Sequence, residues 1–124
     1  MFVCGTTTLQ HMTDRLNTGQ SLQISETLGS PNGRFSLILQ PDGNLVLYDQ
    51  DGQPAWASGT DGREVSSATM QDDGNLVLNS PNGDPVWASD TYGNDGAYLV
   101  LQDDRNLVIY SADGSALWAT GTTV

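Results

Sequence analysis

The sequence contains no lysine and few cationic side chains of any kind. Four arginines stand against 15 acidic residues, so the formal net charge is -11. Nucleic-acid binding requires a basic surface that displaces counterions from phosphates, and anionic membranes attract polybasic segments. The charge balance therefore argues against both partners and favours a neutral or cationic one.

Cysteine and long apolar runs are also scarce. The single cysteine, Cys4, excludes an internal disulfide and a cysteine-based zinc cluster. The longest apolar run, Ala97–Leu101, is far shorter than the roughly 20 residues of a membrane-spanning helix. We identify no secretory signal peptide, since no basic stretch followed by an apolar run opens the sequence. We expect no membrane insertion, and either a cytoplasmic location or secretion by a non-standard route.

What the sequence does contain is an internal repeat. Three segments align without gaps at a spacing of 31 residues, and three tryptophans keep the same spacing. The segments are QPDGNLVLY at 40–48, QDDGNLVLN at 71–79 and QDDRNLVIY at 102–110, and the tryptophans are Trp56, Trp87 and Trp118. Two independent markers in one phase indicate three copies of one structural unit.

Each repeat has the pattern of short β-strands separated by tight turns. In the first repeat we predict strands at 36–40, 44–48 and 55–57, with turns at 41–43 and 49–52. The second and third repeats follow the same scheme, and Ser21–Ile24 should add a strand to one of the sheets. Fourteen glycines interrupt the chain too often for long helices. The predicted fold class is therefore all-β.

Alternation along these strands predicts which side chains form the core. Because successive side chains point to opposite faces, the leucines of each repeat should lie on one face and the polar motif residues on the other. The predicted core residues are Leu37, Leu39, Leu45, Leu47, Leu76, Leu78, Leu107 and Ile109, with the three tryptophans around a pseudo-threefold axis.

The opposite face carries the candidate binding residues. In the first repeat these are Gln40, Asp42, Asn44, Val46 and Tyr48, and in the third Gln102, Asp104, Asn106, Val108 and Tyr110. The second repeat has Gln71, Asp73, Asn75 and Val77, but Asn79 replaces the tyrosine. Carboxylate, amide and phenol groups can bind the adjacent hydroxyls of a neutral sugar, and valine can pack on its C–H face. None of these groups is a nucleophile with an attached base.

The pattern Gln-x-Asp-x-Asn-x-Val-x-Tyr resembles that of the monocot mannose-binding lectins, or bulb-type lectin domains. The resemblance covers residues 16–124 and includes the closing phrase DRNLVIYSADGSALWATGT. It implies a β-prism II fold, with three four-stranded antiparallel sheets around a tryptophan core and one mannose site on each sheet. It also implies a homodimer formed by exchange of C-terminal strands, here about Leu117–Val124.

The resemblance implies a role for each motif residue. Asp and Asn should bind the mannose O2 hydroxyl, Gln the O3 hydroxyl and Tyr the O4 hydroxyl, while Val contacts ring carbons. In the first repeat, O2 is thus assigned to Asp42 and Asn44, O3 to Gln40 and O4 to Tyr48. Asp104, Asn106, Gln102 and Tyr110 take the same roles in the third.

Two departures from the family pattern are visible. Asn79 is too short to reach O4, which predicts a weaker second site around Gln71, Asp73, Asn75 and Val77. The disulfide of the plant lectins is missing, because Gly43 and Ser66 occupy its approximate cysteine positions.

Other interpretations remain open. The main alternative is a bacteriocin-like or other protein-interaction module on the same fold, with weak or no sugar binding. A glycoside hydrolase is disfavoured because neighbouring aspartates, as in Asp72–Asp73 and Asp103–Asp104, point apart in a turn. We expect no catalysis, no cofactor and no metal site. Residues 1–15 are interpreted as an N-terminal extension, with His11–Met12 as a hypothetical cloning junction.

Overall fold

A computed structural model describes residues 13–124 of the chain. Cys4, His11 and the hypothetical junction at Met12 lie outside the described residues. Residues 13–124 form twelve strands, which we number in chain order. They are β1 Arg15–Leu16, β2 Ser21–Gln23, β3 Thr27–Gly29, β4 Ser36–Leu39, β5 Leu45–Tyr48, β6 Pro54–Ala57, β7 Ser67–Met70, β8 Leu76–Asn79, β9 Pro85–Ala88, β10 Tyr98–Leu101, β11 Leu107–Tyr110 and β12 Ala116–Ala119.

The strands form three antiparallel sheets of four strands each. Their orders are β3-β4-β5-β6, β2-β7-β8-β9 and β1-β10-β11-β12. Each repeat supplies three consecutive strands of one sheet, as predicted. The all-β class and the prism of three sheets are confirmed, and residues 13–124 contain no helix. Accordingly, that part of the chain has no helix long and apolar enough to cross a membrane.

The segment before the first repeat completes all three sheets. The predicted strand at Ser21–Ile24 is present as β2, and β1 and β3 add the fourth strand of the other two sheets. Thr13 and Asp14 also contribute, because their carbonyl groups accept the N–H groups of Gly29 and Leu101 at 2.9 and 2.8 Å. The N-terminal segment therefore ties the three repeats to one another.

The core lies where the inner faces of the sheets meet. All eight predicted leucine and isoleucine positions of the repeats are fully buried, together with residues such as Leu28, Met70 and Leu99. Cross-strand pairs such as Leu37 with Leu47 place these side chains side by side. Burial of a leucine contributes about 1.5–3 kcal/mol, so this shared core accounts for much of the stability of the domain.

The three tryptophans pack against one another around the pseudo-threefold axis. Their ring centroids are 5.6 to 5.8 Å apart and the ring planes cross at 70 to 78°, so every pair is edge-to-face. They contact the buried core but stay partly exposed. The predicted tryptophan cluster is therefore present.

Candidate functional site

The polar motif residues of each repeat meet at one hairpin on the outer side of a sheet. We call the sets of the first, second and third repeats site one, site two and site three, with the residues given above. In site one, the carboxylate oxygen Oδ1 of Asp42 accepts the backbone N–H of Asn44 at 2.9 Å. Asp73 and Asp104 do the same for Asn75 and Asn106, at 3.0 and 2.9 Å. This Asx turn fixes each carboxylate at the start of a strand.

The asparagine amide of site one has a defined orientation. Its Oδ1 atom accepts the backbone N–H groups of Gly59 and Thr60 at 3.1 and 3.2 Å and the hydroxyl of Ser58 at 3.2 Å. Because a backbone N–H can only donate, the amide oxygen of Asn44 must face this loop. The Nδ2 group therefore faces away from the loop, and no acceptor for it lies among residues 13–124.

Site three repeats this arrangement. The Oδ1 atom of Asn106 accepts from the hydroxyl of Thr120 at 3.2 Å and from the backbone N–H groups of Gly121 and Thr122 at 3.1 and 3.4 Å. Both sites thus have an amide N–H₂ donor on the same turn as an aspartate carboxylate, whose Oδ1 atom accepts the backbone N–H of that asparagine. A donor and an acceptor side by side can bind one hydroxyl group, which needs both.

The glutamine and tyrosine of sites one and three are hydrogen-bonded to each other. The amide Nε2 of Gln40 donates to the hydroxyl of Tyr48 at 2.5 Å, and Gln102 and Tyr110 form the equivalent bond. The phenol then accepts from the glutamine and keeps its own O–H to donate. A backbone bond from Gln40 to Asn44 at 2.9 Å links this pair to the Asp–Asn pair. The structure therefore brings together all four predicted polar groups of site one.

The valines of the motif are more covered than the sequence suggests. Val46, Val77 and Val108 are only 3 to 4% exposed. Each lies in a central strand and has a cross-strand partner on either side, which for Val46 are Ile38 and Ala57. These neighbours cover the flanks of the valine and leave little of its surface for a ligand.

Site two lacks the hydrogen-bonded Gln–Tyr pair, because Asn79 replaces the tyrosine. Asn79 pairs with Ser67 and Pro85 across the sheet, just as Tyr48 pairs with Ser36 and Pro54, so the backbone setting is the same. Among the described residues, no hydrogen bond joins Gln71 to Asn79. The Asp–Asn half persists, although Asn75 accepts from only two loop donors, Ser89 at 3.2 Å and Thr91 at 3.3 Å.

A β-bulge adjoins the tyrosine position of every site. The register shifts between Leu47 and Tyr48, between Ile109 and Tyr110, and at the equivalent place in the second sheet. A bulge bends its strand and changes the direction of the side chains beside it. The pattern of the sequence did not predict these bulges.

The loop residues that hold the asparagines were not predicted from the sequence either. They follow each tryptophan in the phrases WASGT, WASDT and WATGT. Every copy has a serine or threonine two and four residues after the tryptophan, and this regularity could have identified them. The second of these hydroxyls also donates to the turn itself, as from Thr60 to the Gly43 carbonyl at 2.6 Å. Thr60 and Thr91 are buried, which shows that their role is within the protein.

The paired aspartates do not converge on a common point. The Asp72 carboxylate lies 3.4 Å from the hydroxyl of Thr18, whereas that of Asp73 accepts the Asn75 backbone N–H. Within 13–124, no three histidine, cysteine, aspartate or glutamate side chains cluster as metal ligands would.

Comparison with known proteins places this fold and these motifs in a family. No protein-family model matches the chain. A mannose-specific lectin of Narcissus pseudonarcissus is 50% identical over 47 residues, which are 38% of this chain and only 40% of the daffodil protein.

Solved structures match over almost the whole domain. A monomeric monocot mannose-binding lectin of Gastrodia elata is 47% identical, with a TM-score of 0.83 over 90% of this chain and 100% of that one. The mannose-specific agglutinin of snowdrop (Galanthus nivalis), solved with methyl α-D-mannoside, is 46% identical, with a TM-score of 0.73 over 90% and 98% of the chains.

These matches define a class, the β-prism II lectins. The chain belongs to the monocot mannose-binding lectin family. Both relatives are lectins, which agrees with the predicted absence of catalysis.

Proposed function

We propose that this protein is a non-catalytic lectin that binds terminal mannose residues of glycans, through a single lectin domain at residues 16–124. One observation carries the proposal: at sites one and three an asparagine amide of fixed orientation shares a turn with an aspartate, next to a hydrogen-bonded Gln–Tyr pair. The snowdrop relative bound to methyl α-D-mannoside supports the choice of sugar.

Each polar group of site one has a role in this proposal. Asp42 accepts a hydrogen bond from the mannose O2 hydroxyl, and the Nδ2 group of Asn44 donates to the same oxygen. Gln40 binds O3 through its free Oε1 atom, and Tyr48 donates to O4. Asp104, Asn106, Gln102 and Tyr110 act likewise in site three. Val46 and Val108 contact ring carbons only through the small part of their surface that stays exposed.

The Asp–Asn pair provides the selectivity for mannose. The O2 hydroxyl is axial in mannose and equatorial in glucose, so it reaches the pair in only one of the two sugars. In glucose the donor and acceptor of the pair stay unmatched, which costs about 1–3 kcal/mol. We therefore expect mannose to bind roughly ten times more tightly than glucose or more.

Site two binds more weakly in this proposal. Gln71, Asp73, Asn75 and Val77 remain, but Asn79 cannot provide the bond to O4. The loss of one hydrogen bond of about 1 kcal/mol lowers the affinity roughly fivefold. Single sites of this kind bind a monosaccharide near the millimolar range, about -4 kcal/mol. Several sites that engage one glycan together raise the apparent affinity.

We also propose a homodimer formed by exchange of the C-terminal strand, at about Leu117–Val124. Within one chain, β12 pairs with β11 at an edge of its sheet. Exchange would replace this pairing by the same pairing with a second chain and would double the number of sites per particle. Sedimentation equilibrium should give a mass of twice 13.2 kDa; a single-chain mass at all concentrations would contradict the dimer.

A glycan array and a titration test the sugar specificity. Mannose-terminated glycans should give signal, whereas glucose- and galactose-terminated glycans should not. Calorimetric titration with methyl α-mannoside and methyl α-glucoside should reproduce the preference in solution. Absence of any mannose signal in both experiments would overturn the proposal and favour a protein-interaction module on the same fold.

A further inference from the structure

The three sites differ most in the loops beside them. Sites two and three each have two walls, a loop after the tryptophan and a turn from the N-terminal segment, whereas the recorded contact at the turn of site one comes from the loop, from Gly62 N–H to the Asp42 carbonyl at 2.7 Å. At site two the loop donates from Asn94 N–H to the Asp73 carbonyl at 2.9 Å, and on the other side Thr18 lies 3.4 Å from Asp72. At site three, the corresponding contacts come from Val124 and Asn32. The ligand surface around the motif therefore differs from site to site.

The loop wall of site two carries an exposed aromatic side chain. Tyr92 is 65% exposed and, with Val124, is one of only two large hydrophobic residues exposed among residues 13–124. It directly follows Thr91, whose N–H donates to the Asn75 amide, and lies two residues before Asn94. The equivalent positions beside the other sites are Asp61 and Thr123, so this feature belongs to site two alone.

The loop holds the backbone at Tyr92 in place. The side chain of Asn94 donates to the Thr91 carbonyl at 2.9 Å, and the Thr91 hydroxyl donates to the Gly74 carbonyl at 2.5 Å. An aromatic ring on a fixed backbone loses little freedom when a ligand covers it. A flat apolar ring with a polar tip suits the face of a sugar, where C–H groups lie between hydroxyls.

We propose that site two recognises a mannose-terminated disaccharide or longer oligosaccharide, with the sugar ring next to the terminal mannose stacked on Tyr92. Asp73 and Asn75 hold the terminal mannose, and Tyr92 adds a contact with the neighbouring ring. This contact offsets the missing tyrosine at Asn79. Site two thus differs from sites one and three in selecting longer ligands, and this inference rests on the proposed mannose binding.

The test isolates site two by disabling the other two sites. The variant Asp42→Ala with Asp104→Ala should retain binding of an α-linked dimannoside at site two, measured by NMR titration. Addition of Tyr92→Ala should weaken dimannoside binding about fivefold. It should change methyl α-mannoside binding by less than twofold, because the single sugar does not reach the ring. Tyr92→Phe keeps the ring and should keep the affinity, and Thr123→Ala serves as the control at site three.

The outcomes separate this inference from the proposed function. An unchanged dimannoside affinity in Tyr92→Ala, an equal loss for both ligands, or no dimannoside binding in the Asp42→Ala, Asp104→Ala variant would overturn the role of Tyr92. Each of those results is compatible with mannose binding at sites one and three of the wild-type protein. Failure of the wild-type protein to bind either mannoside would instead overturn the proposed function.

Discussion

The side-chain oxygen of Asn44 accepts a hydrogen bond from the hydroxyl of Ser58 at 3.2 Å, and two backbone N–H groups of the same loop reach that oxygen. Ser58 also accepts the backbone N–H of Leu45 at 3.0 Å. One hydroxyl thus joins the binding turn to the loop after the tryptophan. The loop fixes the orientation of the amide before any ligand arrives, which lowers the entropic cost of binding.

Ser58→Ala should therefore weaken mannose binding at site one. Loss of the hydroxyl removes one of three donors to the Asn44 amide and leaves the Leu45 N–H without its acceptor, so we expect about three- to fivefold lower affinity and about 1 kcal/mol lower stability. Ser58→Thr is the matched control. Thr120 occupies the equivalent position at site three, so a threonine at position 58 should keep the wild-type affinity. Resolved NMR titration of site one measures the effect; equal affinity in Ser58→Ala and wild type would contradict a positioning role.

Gly43→Ala should destabilise the fold far more than glycine replacement in an open turn. Gly43 has φ of 93°, and a Cβ built there would lie 2.0 Å from the Arg63 carbonyl oxygen. A backbone atom at that distance must move, so we expect the free energy of unfolding to fall by about 3 kcal/mol. Gly52 has φ of 80° with open space around it. Gly52→Ala should therefore lower the free energy of unfolding by only about 1 kcal/mol. Urea unfolding followed by circular dichroism compares the two, and similar losses would contradict the close approach.

The same position shows where sequence reasoning stops. Gly43 and Gly74 correspond to Arg105 in the third repeat, which has a positive φ of 73° despite its side chain. There the Arg105 Nε donates to the Thr122 carbonyl at 2.9 Å, and the guanidinium lies 3.8 Å from the Asp49 carboxylate. The first two repeats need glycine because a neighbouring loop lies against it. The repeat alignment shows this substitution but gives no reason for it.

Strand positions and the leucine core were predictable because alternation and repeat phase determine them locally. Three other features were not, since they depend on contacts between distant segments. The strands Arg15–Leu16 and Thr27–Gly29 are too short to show alternation and exist through pairing with later strands. The burial of Val46 depends on neighbours across the sheet, and the orientation of Asn44 depends on a loop some 15 residues away.

Asn79→Tyr should strengthen site two for monosaccharides. The cross-strand neighbours of residue 79 are serine and proline, as they are for Tyr48, so a tyrosine fits the same setting. A restored bond to O4 raises methyl α-mannoside affinity at this site about fivefold. The measurement is an NMR titration in the background Asp42→Ala with Asp104→Ala, with Asn82→Tyr in an exposed turn as the control. Unchanged affinity would show that Tyr48 and Tyr110 do not bind O4.

Trp87→Ala should destabilise the whole domain and not one sheet alone. The Trp87 ring lies 5.8 Å from both other tryptophan rings, so its removal leaves each of them without one edge-to-face partner. We expect a loss of about 3 kcal/mol in the free energy of unfolding, with one cooperative transition. Trp87→Phe should lose less, because it retains a ring. Chemical denaturation measures both; a loss below about 1 kcal/mol would contradict the structural role of the cluster.

The central claim is that the Asp–Asn turns of sites one and three bind mannose, and calorimetric titration with methyl α-mannoside tests it most directly. The variant Asp42→Ala with Asp104→Ala should weaken binding at these two sites at least tenfold, because each site loses a charged acceptor. Each turn also loses the bond from its asparagine N–H to the carboxylate, so we expect the variant to stay folded but to be less stable by about 1 kcal/mol per site. The variant Asp51→Ala with Asp84→Ala removes the same charge from exposed turns elsewhere and should bind as wild type does. Full mannoside binding by the folded Asp42→Ala, Asp104→Ala protein would contradict the account.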